Sequence, residues 1–577
     1  MKPLLKYFKG YRVESVLAPL FKCLEAIFEL LVPLAVAYII DAGIGDESTG
    51  GNKGVVFAMC GVMLALAVIG LTCAACAQYF SARAAVGVSA KIRSTLFAKI
   101  QTFSYADTDK LGVSTLITRM TGDINSVQTG INMFLRLFMR SPFVVFGAMI
   151  MAFTIDIPLA LIFAVTIPLL AVVVFGIMLV SIPIFKKSQA RLDKVLGKVR
   201  GNYNGTRVVR AFNKESDEIA EFDEKNAFLT KIQVFAGRIS ALMNPLTYVI
   251  ISFAVIVLIR SGALKVQGGG LTQGELVALY SYMSQILVEL IKLASLIITL
   301  NKAQASAHRV SDILAITPEQ IRGSGKDTAA EPSAVCFENV SFGYSASGDP
   351  AINTVSFRVM RGQTVGIIGG TGSGKSTLIN LIPRFYQATN GEIYINNKNI
   401  SLYTKEELCD IISVVPQKAQ LFKGTVRSNL TLGYDVSDEE LWRALEAAQA
   451  KDFVLEKNGL NTEVAQNGSN FSGGQKQRLT IARALVKKPQ ILILDDSASA
   501  LDYATEAKLR AAISSLDYAP TLFIVSQRTS SILHADLIIV LDDGEVVGTG
   551  THNELLDSCE VYRDIYRSQF PEEVTVR

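Results

Sequence analysis

Apolar residues follow two regimes along this chain, running in long unbroken stretches in its first half and in short ones beyond residue 334. A helix that crosses a bilayer needs about 20 predominantly apolar residues, and the first half supplies roughly six such stretches. Residues 55–77 and 157–185 carry no charge, and residues 239–259 carry none until Arg260. Residues 16–40, 134–155 and 276–300 complete the set and hold charges that need an account. Lys22, Glu25 and Glu29 fall at i, i+3 and i+7, on one helix face. Arg136 and Arg140 stand one turn apart in the third span, and Glu289 and Lys292 can neutralise each other on the sixth. Charge inside a membrane is costly and faces a protein interior or a wet cavity. Two readings stay open: a polar stripe that touches a transported molecule, or mutual pairing. Both signs are present, so no preference for cations or anions follows.

Past residue 334 the β-branched runs TVGIIG, ISVV, QILILD and TLFIVS alternate with helical patterns such as DEELWRALEAAQA. That alternation predicts an α/β domain with a mostly parallel sheet. TPEQIRGSGKDTAAEPS, residues 317–333, is polar and rich in turn formers, as a linker between domains is. The expected division is a transmembrane domain over 1–316, a linker over 317–333 and a second domain over 334–577. At the start, Lys2, Lys6, Lys9 and Arg12 interleave with Leu4, Leu5, Phe8 and Tyr11, predicting an amphipathic helix on the membrane surface.

Composition agrees with a chain of mixed character. At 577 residues it is too long for one core, and with half its residues hydrophobic and 19% charged it is too apolar to be wholly soluble. The net charge of +4 gives no reason to propose nucleic acid. Seven cysteines without a short-spaced framework argue against a secreted disulfide fold, and Cys73 and Cys76, inside an apolar run, read as packed helix residues. Residues 82–132 and 186–238 are rich in Lys and Arg, whereas 41–53, 154–156 and 261–275 are short and poor in them. The positive-inside bias puts the first group, and with it both termini, in the cytoplasm.

Three motifs carry chemistry. GGTGSGKST comprises Gly369, Gly370, Thr371, Gly372, Ser373, Gly374, Lys375, Ser376 and Thr377, between strand-like TVGII and helix-like LINLI, the context of a P-loop. Its glycines let backbone N–H groups face phosphate, Lys375 can reach the β and γ phosphates, and the Ser376 hydroxyl can ligate Mg2+. ILILDD ends in Asp495, suited to hold Mg2+, and Asp496, suited to face the attacking water. In NFSGGQ, the residues Ser472, Gly473, Gly474 and Gln475 can open a phosphate-binding helix N-terminus. A chance glycine turn or a capping acid explains one motif alone and not the three together.

With these motifs the chain resembles the ATP-binding cassette transporters, whose signature is FSGGQ, and the resemblance covers nearly its whole length. It implies ATP and Mg2+ as cofactors, Tyr344 as the adenine-stacking aromatic, Gln417 in SVVPQ at the metal and the reacting phosphate, and SALD, ending in Asp502, as the D-loop. It further implies an exporter-type half-transporter: a six-span α-helical transmembrane domain fused to an α/β P-loop nucleotide-binding domain, in the plasma membrane. Such chains pair so that each ATP lies between the P-loop of one and the signature of the other. Helices that couple the domains are expected near residues 104–108 and 207–212.

Two departures sharpen this expectation. Asp496 stands where the family usually has glutamate, and Gln527 where it usually has histidine. The shorter carboxylate reaches less far as a general base, and glutamine cannot carry positive charge toward a developing phosphoryl charge. FSGGQ is intact apart from Phe471 in place of leucine, while TEVAQNGSN before it departs from TxVGERG. The pattern resembles the degenerate-site subunit of heterodimeric bacterial multidrug exporters. Its expected partners are a second half-transporter chain with Glu and His at these positions, membrane lipid and a small amphipathic substrate. Import on the exporter fold, peptide or lipid export, and an ATP-gated regulator that transports nothing are the alternatives.

Overall fold

A computed structural model describes residues 2–44, 52–317, 333–344, 348–497 and 501–570. The chain forms two compact units, Met1–Thr102 with Val113–Ile316, and Phe103–Gly112 with Thr317–Arg577. All but the ends of the expected linker lies outside the described residues.

Among the described residues of the first unit, six helices are long and apolar enough to cross a membrane: Arg12–Ile44, Lys53–Gln101, Val113–Ile155, Ile157–Ala211, Glu215–Gln267 and Gln273–Ala315. They far overrun the apolar stretches. The Lys- and Arg-rich segments over 82–132 and 186–238 are mostly helix, because an apolar window measures contact with lipid while the hydrogen-bonded helix continues into charged, helix-compatible sequence. Residues 207–212 accordingly finish the helix Ile157–Ala211 instead of forming a helix of their own. The N-terminal segment Lys2–Gly10 is a 3₁₀ helix.

The spans bury a core that includes Leu30, Val145, Phe163, Leu170, Leu258, Tyr282 and Ile286. Tyr282, fully buried, donates its hydroxyl to the Leu30 carbonyl at 2.7 Å, so its one polar atom is satisfied. Of the intramembrane charges singled out in the sequence, all but Arg136 meet a charge of opposite sign. Lys22 meets Glu25 at 2.5 Å. Arg140 bridges Glu29 on the first span and Glu289 on the sixth, and Glu289 also accepts from Ser141 at 2.9 Å and Lys292 at 3.0 Å. Arg136 donates to Gln78.

Among the described residues of the second unit there are twelve strands: β1 Val335–Phe342, β2 Ile352–Val359, β3 Thr364–Gly369, β4 Asn390–Ile395, β5 Lys398–Asn399, β6 Ile412–Val415, β7 Gly424–Thr425, β8 Glu463–Val464, β9 Ile491–Asp495, β10 Thr521–Val525, β11 Leu537–Asp542 and β12 Glu545–Gly550. The main sheet runs β12-β11-β3-β10-β9-β6, with β12 antiparallel at one edge and the other five parallel. A four-stranded antiparallel sheet, β2-β1-β4-β5, and the pair β7-β8 complete the set. Alternation divides the main sheet between two cores: Leu492, Leu494, Leu522 and Ile524 pack on one side with Leu441, Leu479 and Ile481. Ile491, Ile493, Phe523 and Val525 pack on the other with Phe337, Leu378 and Ile393.

The membrane charges give a test. Arg140→Leu leaves two carboxylates short of a partner, and breaking a buried pair costs about 3–5 kcal/mol. The expected outcome is a clear drop in the thermal midpoint of the detergent-solubilised chain, largely recovered in Arg140→Leu combined with Glu289→Leu. Equal midpoints for the single variant and the wild type would show that the bridge carries no stability.

Candidate functional site

Parallel strands deliver their C-terminal ends to one edge, and the crevice outside that edge is where open α/β sheets bind ligands. The segment 369–377 follows β3, Gln417 follows β6, Asp495 and Asp496 end β9, and Gln527 follows β10. A cavity of about 370 Å³ at that edge is lined by Thr371, Gly372, Gly374, Lys375, Ser376, Thr377, Gln417, Asp495, Asp496, Gln527 and Tyr344 among others. The motifs read separately in the sequence are thus gathered in one place. Gly369, Gly370 and Ser373 belong to the same loop but do not line the cavity.

The loop needs its glycines. Gly374 has φ +94°, and a Cβ there would lie 2.7 Å from the Ala351 carbonyl oxygen; at Gly369 a Cβ would lie 2.1 Å from that of Leu541. Gly374 caps the helix Lys375–Leu381, so the loop ends on unsatisfied N–H groups. Lys375 folds back, donating to the carbonyls of Gly369 at 2.9 Å and Gly370 at 2.5 Å and to Ser373 Oγ at 3.3 Å. Burial pushes its ammonium below the usual lysine range, against the nearby charges of Asp496 and Asp495.

Ser376 Oγ donates to Asp495 Oδ1 at 3.1 Å, and Gln417 Nε2 to Asp496 Oδ2 at 3.2 Å. Burial pushes the Asp495 carboxyl up; the Ser376 hydroxyl opposes this, and the charge on Asp496 adds to it. Asp496 sits at φ +44°, the left-handed region that aspartate tolerates better than most residues. Tyr344 is 60% exposed and shares a 3.1 Å hydrogen bond with Thr377.

Ser472, Gly473, Gly474 and Gln475 do not line this cavity. They open the helix Gly473–Val486, where Ser472 accepts from the Gln475 N–H at 3.3 Å and the Gln475 side chain accepts from the Ser472 N–H at 3.1 Å, a capping box. Asp502 caps the helix Tyr503–Ser514, accepting from the Thr505 N–H at 2.8 Å. Residues 498–500, which include the start of SALD, lie outside the described residues.

Two groups around the cavity escaped the sequence reading. Tyr386 packs edge-on to Tyr344, with ring centroids 5.2 Å apart, and donates to Asp109 at 2.5 Å. Asp109 lies on the short helix Tyr105–Leu111, whose Tyr105 stacks on Phe385 at 4.3 Å. Gln569, near the end of the helix Glu560–Gln569, accepts from both the N–H and the hydroxyl of Thr529 at 2.9 Å and donates to the Gln527 carbonyl at 2.8 Å. The partners lie 277 and about 40 residues apart in sequence, so no local pattern announced either contact.

The raised Asp495 pKa predicts a pH signature. A carboxyl whose folded pKa lies above its unfolded value favours the fold at low pH and loses that contribution as pH rises through the folded pKa. Asp495→Asn is therefore expected to raise the thermal midpoint of the nucleotide-free protein at neutral pH, with the gain fading toward the ordinary carboxylate range. A gain independent of pH would contradict this.

Comparison with known proteins gives the same reading by another route. Residues 16–290 match the family described as the ABC transporter transmembrane region, and residues 352–499 the family described as ABC transporter. An uncharacterized ABC transporter ATP-binding protein of Mycobacterium tuberculosis is 34% identical over 98% of this chain and 97% of its own. YfiB of Bacillus subtilis, described in the same terms, is 34% identical over 99% of both chains. YgaD of Bacillus subtilis, provisionally named a multidrug export ATP-binding/permease protein, is 31% identical over 99% of both. The solved structure of a bacterial Atm1-family ABC exporter with ATP bound shares the fold, with a TM-score of 0.81 over 97% of this chain and 99% of that one at 24% identity. The chain belongs to the ABC transporters and has the fold of an exporter-type half-transporter: a multi-pass membrane protein whose cassette binds ATP and couples its hydrolysis to transport.

Proposed function

We propose that this chain is the weak-site half of a heterodimeric exporter of small amphipathic molecules in the plasma membrane, with the cassette and both termini cytoplasmic. The observation that carries this reading is that Asp496 and Gln527, the two departures from the family pattern, line the same cavity as Lys375 and Ser376. One altered residue is compatible with drift. Two in one cavity argue for a site that binds ATP and turns it over slowly. The intact Ser472–Gln475 helix start is then suited to complete a site on a second chain that carries Glu and His. The multidrug name of the Bacillus relative supports an amphipathic substrate. In this reading residues 1–316 form the transmembrane domain, 317–333 the linker and 334–577 the nucleotide-binding domain.

Each residue's task follows from its position. Tyr344, more than half exposed beside the loop, is the aromatic suited to stack on adenine. The loop N–H groups and the helix start at Lys375 receive phosphate oxygens, and the Lys375 ammonium transfers its donors from loop carbonyls to phosphate. The Ser376 hydroxyl and Asp495 carboxylate, 3.1 Å apart, form an oxygen-only donor pair of the kind Mg2+ takes. Among the described residues no group of three or more His, Cys, Asp or Glu side chains could hold a metal, which fits an ion bound mainly through phosphate and water. Magnesium supplies charge neutralisation on the phosphates when bound. Gln417 is placed to sense both that ion and Asp496. Asp496, one methylene short, orients water poorly, and Gln527 offers a hydrogen bond without a charge.

The expected outcome is that the purified chain alone hydrolyses ATP slowly while retaining ATP binding. Asp496→Glu with Gln527→His should raise the ATPase rate by about tenfold or more, the scale on which acid–base groups act. Brisk hydrolysis by the wild-type homodimer, abolished by Asp496→Asn, would refute the weak-site reading.

A further inference from the structure

The turn that follows β10 carries Gln527 into the nucleotide cavity, and its backbone is held at both ends. Upstream, the Ser526 N–H donates to the Ile367 carbonyl on β3 at 3.1 Å. Downstream, Arg510 on the helix Tyr503–Ser514 donates to the carbonyls of Ser530 at 3.3 Å and Ser531 at 3.0 Å. Between these anchors the turn is gripped by the side-chain amide of Gln569. Its oxygen accepts from the N–H and the hydroxyl of Thr529 at 2.9 Å, and its NH2 group donates to the Gln527 carbonyl at 2.8 Å. The three bonds ask one planar group for a donor and two acceptor lone pairs, which an amide has and a carboxylate has not. Thr529 is fully buried, so its two polar groups depend on that oxygen.

The support behind this amide is rigid. Gln569 ends the helix Glu560–Gln569, which packs the fully buried Tyr562 into the core on one side of the main sheet. The Tyr562 hydroxyl shares a 2.7 Å hydrogen bond with His552 Nδ1, and Arg563 donates to the carbonyls of Leu556 and Asp557 at 2.8 Å, tying this helix to its neighbour His552–Ser558. A side chain on a packed helix places a loop more firmly than the loop's own contacts do. Placement also matters more for a glutamine at 527 than for a histidine. A charged ring is drawn toward phosphate over several ångström, whereas a neutral amide acts only at hydrogen-bond length and angle. We propose that Gln569 is a positioning residue for nucleotide recognition. By fixing the turn 527–529 it aims Gln527 at the terminal phosphate, and so lets this cassette tell a triphosphate from a diphosphate; this rests on the phosphate-facing role given to Gln527 above.

The test uses the full-length chain, with any second chain that copurifies, in nanodiscs with Mg2+. An azido-adenine photolabel is read on this chain's own band, and its displacement gives the affinities of ADP and of a non-hydrolysable ATP analogue. Gln527→Ala is expected to lower the preference for the triphosphate by about tenfold, the loss typical of a hydrogen bond to a charged group. Gln569→Met, close in size and without an amide, should lower it by about threefold or more, the scale of ordinary hydrogen bonds, and leave ADP affinity unchanged. Gln569→Glu, which keeps an acceptor for Thr529 and loses the donor to Gln527, should lower it too, and carries the test alone if the Met variant fails to fold. Gln569→Met added to Gln527→Ala should have no further effect, because nothing is left to position. A wild-type preference in the Gln569 variants overturns the proposal. So does equal weakening of both nucleotides, since a general loosening of the cassette does not single out the third phosphate, and so does a Gln569→Met effect that persists in the Gln527→Ala background. If Gln527→Ala itself keeps the wild-type preference, the phosphate-facing role of Gln527 falls and the positioning with it. If Gln527→Ala lowers the preference and the Gln569 variants do not, only the positioning falls.

Discussion

Five parallel strands, β11-β3-β10-β9-β6, impose the constraint on which the cassette depends. Parallel pairing sends every strand's C-terminal end to the same edge, so a loop, two carboxylates and two glutamines from distant parts of the chain converge without any of them having to seek the others. Register does the fine placement. Val525 pairs with Asp495 and Ile367, which sets the ends of β9 and β10 level and lets β3 run two residues further to Gly369. The Asp496 N–H then bonds to the Val525 carbonyl at 3.0 Å, anchoring the altered carboxylate by its backbone even though its side chain is shorter.

The membrane half answers the opposite problem. There the sheet is replaced by helices because lipid offers no partners to backbone polar groups. Charges placed in that setting must find one another, and Arg140 does so by joining the first and sixth spans through Glu29 and Glu289. The bridge uses up the carboxylates.

Much of this was legible in the sequence because it is local. The P-loop announces itself through glycines whose φ values no other residue adopts cheaply, and β9 and β10 through short, nearly unbroken apolar runs buried on both faces. The six spans showed as apolar stretches, but their lengths did not, since hydropathy reports the surroundings of a helix and is silent where the helix leaves them. The contacts of Arg140 with Glu289, Tyr386 with Asp109 and Gln569 with Thr529 were invisible for a different reason. Each joins residues with no shared period, and only the completed fold brings them within reach. Pairing among the intramembrane charges stood open beside a substrate stripe; the structure shows Lys22 paired with Glu25, Arg140 with Glu29 and Glu289, and Lys292 with Glu289.

The hydrogen bond from Tyr386 to Asp109 has a consequence for how the protein is made. Residues 103–112 belong by packing to the second unit, yet they are translated long before Phe385 and Tyr386 exist. The second unit is therefore a discontinuous domain whose earliest piece must wait, already emerged from the ribosome, for the sheet that will receive it. A cassette produced alone from residue 334 onward would lack that piece and carry an uncovered aromatic surface at Phe385. Its solubility would then report on the missing decapeptide more than on the cassette itself.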